Sequence, residues 1–209
     1  MPETIAAVLF GISHALLSLA GSLPQPPAQA LAFAQLILMF AVISCGGWVW
    51  ETIYCSLVEG HLVRRGVLFG PSCPIYGTGA VAVWLALGGV SDPVAVFVLG
   101  ALLATVVEYA TGEALERRFH RTWWDYSMFR LNYKGRICAL ASATFGGFSL
   151  LVVFLIGPNL LAGLASLPAR AQLVAAGTVS LAYAADSLAS FAHLSGRSLD
   201  GVRQRFLAR

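Results

Sequence analysis

Charge is what this sequence has least of. Only 11% of its 209 residues are Asp, Glu, Lys or Arg, against 58% hydrophobic, and the mean hydropathy is +0.77. A soluble domain carries about 25% charged residues, so the composition excludes a water-soluble globule and implies an integral membrane protein. The length suits one helical bundle and leaves no room for a separate soluble catalytic domain. Catalytic signatures are also missing: there is no Walker A loop, no GxSxG elbow and no HExxH helix. The four cysteines, Cys45, Cys55, Cys73 and Cys138, form no CxxC pair and no zinc spacing. No disulfide, metal or cofactor is expected. Ser72 and Cys73 could be imagined as nucleophiles, but no histidine base is placed near them by sequence. The opening residues, MPET, lack the basic n-region of a signal peptide. The apolar run 4–22 therefore reads as a retained helix, with a cleaved signal peptide as its rival. No internal repeat stands out, so an inverted-repeat transporter is not supported directly.

What is present is a series of apolar runs. After 4–22 comes a proline-rich turn, 23–29, and then spans at about 30–58, 66–90, 94–115, 137–157 and 169–193. The expected fold is an all-α polytopic bundle of about six spans, five plus the N-terminal apolar helix, with a broken helix at 66–77. Residues 1–29 form the N-terminal unit, 30–193 the membrane bundle, and 194–209 a basic tail. Ser91-Asp92-Pro93 reads as a tight turn with Pro93 opening a helix, and Pro158 to Pro168 as a loop. Twelve of the thirteen Lys and Arg residues fall in the 59–65 link, the 116–136 loop and the tail. The positive-inside rule puts these segments, and both termini, in the cytoplasm. The net charge of +3 is thus a matter of topology, and no nucleic-acid partner is expected. The interleaved basic and aromatic residues of 116–136 suit a membrane surface and its anionic lipid.

The stretch 66–77, GVLFGPSCPIYG, concentrates Gly70, Pro71, Pro74 and Gly77 at the start of an apolar run. Proline blocks helix continuation, and unpaired backbone in lipid survives only where protein or water satisfies it. Three intramembrane acids, Glu51, Glu108 and Asp186, each fall about 10 Å from the same interface at 1.5 Å per residue. Arg64, Arg65 and Arg136 approach that layer. Charges at this depth cost at least about 2.5–3.5 kcal/mol, so they should face the bundle interior. They could be ion pairs that fix helix packing. They could equally line a polar cavity open to the cytoplasm, with Glu51 and Glu108 as proton or cation carriers, Arg65 and Arg136 as anion contacts, and Tyr76 as a positioning donor at the helix break. Asp125, Asn132 and Arg136 could fold back as a lid, with Asp125 pairing Arg64 or Arg65. Trp123, Trp124 and Tyr126 could instead simply anchor the loop at headgroup depth.

Several of these residues form a recognisable pattern. Trp48, Glu51 and Tyr54, then Arg65-Gly66, Gly70-Pro71 and Cys73-Pro74-Ile75-Tyr76-Gly77, resemble the bacterial family called Putative ABC-transporter type IV, or CmpB-like. Glu108-Tyr109, Trp123-Trp124-Asp125-Tyr126-Ser127, Asn132, Gly135-Arg136-Ile137-Cys138 and Asp186 fit the same pattern, which covers roughly residues 40–190. The resemblance implies a multi-pass protein of the bacterial inner membrane with a transport role. It also implies that 64–77 and 123–138 act together. No nucleotide-binding sequence is present, so an ATPase would be a separate subunit; a second copy of the chain is the other candidate protein partner. The expectation is a permease-like component for a small polar or anionic solute. A membrane-embedded enzyme or lipid-handling protein acting on a phosphorylated headgroup, and a non-catalytic scaffold, are the alternatives.

Overall fold

The computed structural model describes residues 26–207; the run 4–22 lies outside the described residues. Five helices follow one another: α1 (Ala28–Glu59), α2 (Pro74–Leu87), α3 (Pro93–Phe119), α4 (Ala139–Ala165) and α5 (Ala169–Leu207). Four of them, α1, α3, α4 and α5, are long and apolar enough to cross a membrane, α5 through its stretch Ala169–Gly196. Their most apolar windows are only 11–28% buried, so most of their apolar side chains, such as Leu102, Val106, Leu181 and Leu188, point outward. That inverted surface suits a lipid solvent.

The sequence marks the helix boundaries with its own chemistry. Gly60, at φ 71°, closes α1 in the left-handed region where glycine has no Cβ penalty. Asp92 accepts a hydrogen bond from Val94 N at 3.0 Å, and Pro93 opens α3, as the Ser-Asp-Pro turn indicated. The expected third span differs. Residues 61–73 have no regular structure, and α2 begins at Pro74, where the missing N–H costs nothing. At 14 residues α2 is about 21 Å long, short of the ~30 Å hydrocarbon core.

A second difference concerns Pro158, expected in a loop. The helix continues to Ala165 because residues Val152–Ile156 form a π-helical turn, with Gly157 N donating to Val152 O. The widened turn absorbs the clash a proline would make in an α-helix, and Asn159 Nδ2 donates to Leu155 O at 2.7 Å. The helix α5 continues from the last apolar run into the basic tail as far as Leu207. A two-residue antiparallel hairpin, Asn132–Tyr133 with Ile137–Cys138, was not foreseen at all.

Helices approach closely at small residues, as membrane bundles do. Gly47 of α1 lies under the Tyr76 ring, Gly77 of α2 against Ser44 and the Phe40 carbonyl, and Gly100 of α3 against Ser149 of α4. The apolar core lies between α2, α3 and α4, built on Val83, Leu87, Val96, Val152 and Val153 with Trp84 packed against it. A Cβ at Gly77 would meet the α1 backbone, which cannot swing away. Gly77→Ala is expected to cost about 1–3 kcal/mol, read as a lower unfolding temperature in detergent. Gly79→Ala, where the added Cβ meets nothing, should leave the melt unchanged.

Candidate functional site

The irregular segment 61–73 is held in place by the helices around it. Trp48 Nε1 donates to Arg65 O at 3.0 Å, and Cys73 N donates to Ser44 O at 3.0 Å. Ser44 lies fifteen residues from the end of α1, about 22 Å along its axis, so the chain folds back far beside that helix. The exposed amides of this turn find a carboxylate. Phe69 N and Gly70 N donate to Asp186 Oδ1 and Oδ2 at 2.9 and 2.7 Å, and Phe69 N also reaches Ser190 Oγ at 2.9 Å. Ser72 Oγ lies 2.6 Å from Tyr183 Oη. Asp186 therefore serves as an acceptor for backbone that no helix satisfies.

The loop 120–138 is built in a similar way. Asp125 turns both carboxylate oxygens to Ser127, accepting from its N–H at 2.8 Å and its hydroxyl at 3.0 Å. It pairs with neither Arg64 nor Arg65. Asn132 donates to Phe129 O at 2.5 Å and accepts from Gly135 N at 3.1 Å, spanning a turn in which Lys134 and Gly135 both take positive φ. Tyr126 N donates to Gly135 O, and Trp124 Nε1 donates to Arg136 O at 2.8 Å. Arg136 itself grips Glu116 through Nε and Nη2, at 3.0 and 2.7 Å, over the Tyr109 ring. The Glu116 carboxylate raises the pKa of that guanidinium.

Between the two segments lies a cavity of about 460 Å³. Its walls include the exposed Arg64, Arg121 and Thr122, the half-buried Glu51, Arg65, Tyr76, Trp123, Trp124 and Tyr126, and the buried Glu108. Arg65 donates to Glu51 Oε1 through Nε and Nη2, at 3.2 and 3.1 Å, and through Nη2 to Trp123 O at 3.1 Å. That guanidinium ties α1, the irregular segment and the loop together. Burial alone would lower its pKa, but Glu51 outweighs this and the net shift is upward. Cys73 Sγ faces the other oxygen of Glu51 at 3.5 Å. Arg64 and Arg121 are exposed and have no ion pair among the described residues. Arg121 lies over the Trp123 ring.

Glu108 differs from the other acids. It is 3% exposed, its Oε1 accepts from the Tyr126 hydroxyl at 2.8 Å, and its Oε2 has no hydrogen-bond partner among the described residues. Burial pushes the pKa of the Tyr126 phenol up, which keeps the hydroxyl a donor. Ile75, Tyr76, Glu108 and Phe145 also border a second void of about 70 Å³, walled further in by Ile43, Val83, Val107 and Val152. Charge around the cavity thus divides into one ion pair, two exposed cations, of which Arg64 lies within electrostatic reach of Asp186, and one buried acid. Among the described residues no cluster of three or more His, Cys, Asp or Glu side chains could hold a metal ion.

Of the residues singled out from sequence, the cavity collects Glu51, Arg64, Arg65, Tyr76, Glu108 and Trp124. It does not collect Pro71, which is exposed, or Gly77, which is buried against α1. Tyr109, Asp125, Asn132, Arg136 and Asp186 hold the surrounding chain instead. Sequence reasoning missed Arg121 and Tyr126 as wall residues. Tyr126 stood in the quoted motif, but only the fold shows that it reaches Glu108.

One family model, described as Putative ABC-transporter type IV, matches residues 38–191. No match was found among curated proteins or among solved structures.

Proposed function

The chain belongs to the Putative ABC-transporter type IV family, and on that premise we propose that it is a permease-like component that moves a small polar or anionic solute. It is a membrane protein built on four apolar helices; in this reading it has about six spans, with 61–73 re-entering the bundle before α2. The basic end faces the cytoplasm, in keeping with the positive-inside rule, and opens the cavity to that side. The observation that carries the reading is the combination of two exposed arginines without an ion pair among the described residues, a cavity of solute size, and a buried acid that also borders a second void. Cavities of about 300–1,000 Å³ are typical for small molecules. Exposed arginine favours carboxylate or phosphate. Glu108 is the proton- or cation-binding group, and Tyr76 stands beside it at the start of α2. In this reading the apolar core around Val83, Val96 and Val152 closes the far side and the protein is inward-open. In this reading any ATPase that couples energy to transport is a separate subunit.

Thermal stabilisation of the detergent-purified protein tests this. A ligand at 100 times its Kd stabilises by about 2.7 kcal/mol. Soluble carboxylates, inorganic phosphate, divalent cations and phospholipid are compared. The expected result is a shift with a soluble anion that disappears in the Arg64→Gln/Arg121→Gln double variant. It should persist in Arg130→Gln, an exposed residue outside the cavity. A folded, monodisperse protein that responds to no soluble anion, or a shift indifferent to the double variant, overturns the reading.

A further inference from the structure

Resting on that reading, we infer that the solute is an amphipathic carboxylate: its anionic group is held by Arg121, and its compact apolar body packs against the aromatic and aliphatic wall beside that residue. The first argument is what the cavity leaves over for a ligand. Several polar groups on its walls are already engaged. Arg65 donates to Glu51 and to the Trp123 carbonyl, the Trp124 indole N–H to the Arg136 carbonyl, and the Tyr126 hydroxyl to Glu108. Arg64 lies within electrostatic reach of Asp186. Arg121 makes no ion pair among the described residues. Its guanidinium lies over the Trp123 ring, 5.7 Å from the centroid. A guanidinium set over a ring keeps N–H donors at its edge, and that edge matches the two oxygens of one carboxylate.

The second argument is the surface next to this cation. Trp123 meets Phe119 at 6.0 Å between ring centroids, and Phe119 meets Phe191 at 5.5 Å. Trp123 and Phe191 both line the cavity. Leu115 joins them: Glu108, Thr111 and Leu115 are spaced three and four residues apart on one face of α3, and all three line the cavity. Phe119 is one turn beyond Leu115, about 6 Å along the axis, and Arg121 follows it by two residues. Free cation and apolar wall therefore adjoin, as charge and carbon do in an amphipathic acid. The third argument is size. An inorganic oxyanion would fill little of the 460 Å³ and leave the apolar wall in contact with water, which is unfavourable. A two-chain phospholipid is too large to be enclosed.

The test uses acetate, butyrate and hexanoate, with inorganic phosphate, uncharged hexanamide and phosphatidylglycerol for comparison. Kd is taken from the concentration dependence of thermal stabilisation of the purified full chain, in wild type, Arg121→Gln and Leu115→Asn. Each buried methylene corresponds to about threefold to fourfold in affinity. Hexanoate should therefore bind wild type about tenfold more tightly than butyrate, and butyrate about tenfold more tightly than acetate. Hexanoate should also exceed hexanamide by about tenfold or more, a preference lost in Arg121→Gln. Leu115→Asn should shrink the gain per methylene. If either variant does not fold, the wild-type series and the hexanamide comparison carry the test alone. Acetate or phosphate binding as tightly as hexanoate overturns the apolar body and leaves the anion reading standing. Hexanamide binding as tightly as hexanoate overturns the carboxylate and counts against the anion reading too. A preference for hexanoate over hexanamide that survives Arg121→Gln removes Arg121 as the contact. Stabilisation by phosphatidylglycerol alone overturns the inference in favour of a lipid headgroup. If no acid binds, the inference falls, and the response to phosphate decides the anion reading separately.

Discussion

Asp186→Ala should be among the most destabilising single substitutions in this chain. The carboxylate accepts from two consecutive backbone amides, Phe69 and Gly70, in a segment with no helix of its own. Removing it leaves Gly70 N without an acceptor and Phe69 N with only the Ser190 hydroxyl. Hydrogen bonds to a charged group contribute about 1.5–3 kcal/mol each, and a stranded donor costs about 1–3 kcal/mol; in a bilayer no water replaces the acceptor. A loss of about 2–5 kcal/mol follows, read as thermal unfolding in detergent. Asp186→Asn should fall between wild type and Ala, since its amide keeps one acceptor oxygen and turns a donor toward the other N–H. A local readout separates this from general instability. Cys73 is 3% exposed and lies three residues beyond Gly70, so maleimide labelling mapped to Cys73 should accelerate in Asp186→Ala at temperatures where the bundle is still folded. A variant that melts like wild type and keeps Cys73 protected would show that the carboxylate does not hold this turn.

The same residue illustrates where sequence reading stops. Apolar runs located α1 and α3 to within a few residues, because each is bounded by local chemistry: Gly60 in the left-handed region, and Asp92 with Pro93. The cluster of Gly and Pro at 66–77 marked irregular backbone for the same reason, since the effect of those residues is local. Pro158 misled because its usual consequence is removed by a π turn whose five residues, Val152–Ile156, carry no distinguishing signal. Depth along a helix placed Glu51 and Glu108 in one layer, and both line the cavity. Depth could not say which way Asp186 turns, because its partners are more than a hundred residues away and are backbone groups.

Motif residues were harder still to sort. In the Trp-Trp-Asp-Tyr-Ser run, Asp125 and Ser127 close a turn while Tyr126 reaches Glu108, and neighbours in sequence thus have unrelated tasks. Arg136 was expected at the level of Glu108. It pairs instead with Glu116, eight residues later on α3, about 12 Å further toward the basic end. That displacement takes it out of the cavity, whose walls include Arg121 instead.

Arg65→Gln is the other substitution with a large expected effect, and its double variant makes it informative. The guanidinium joins Glu51 of α1 to the Trp123 carbonyl of the loop. Without it, Glu51 keeps the weak thiol contact of Cys73, and the loop loses a side-chain tie to this segment. Breaking a buried pair by removing one partner costs about 3–5 kcal/mol. Both side chains here retain some exposure, 25% and 22%, so about 2–4 kcal/mol is the expected loss. Glu51→Gln alone should cost a similar amount, because the arginine is then left unpaired. The Glu51→Gln/Arg65→Gln double variant removes both charges at once and should be clearly more stable than the sum of the singles, with a coupling of about 1–3 kcal/mol. Simple additivity would mean that the pair does not hold the segment. The double variant also separates two tasks that the single variants confound. The positive charge on the cavity wall rests on Arg64 and Arg121, and the neutral Glu51–Arg65 pair adds nothing net to it. A double variant that regains stability should therefore still respond to the anion that stabilises wild type. Loss of that response in a stable protein would instead make Arg65 a direct contact for the solute, with Glu51 as the group it leaves when the anion arrives.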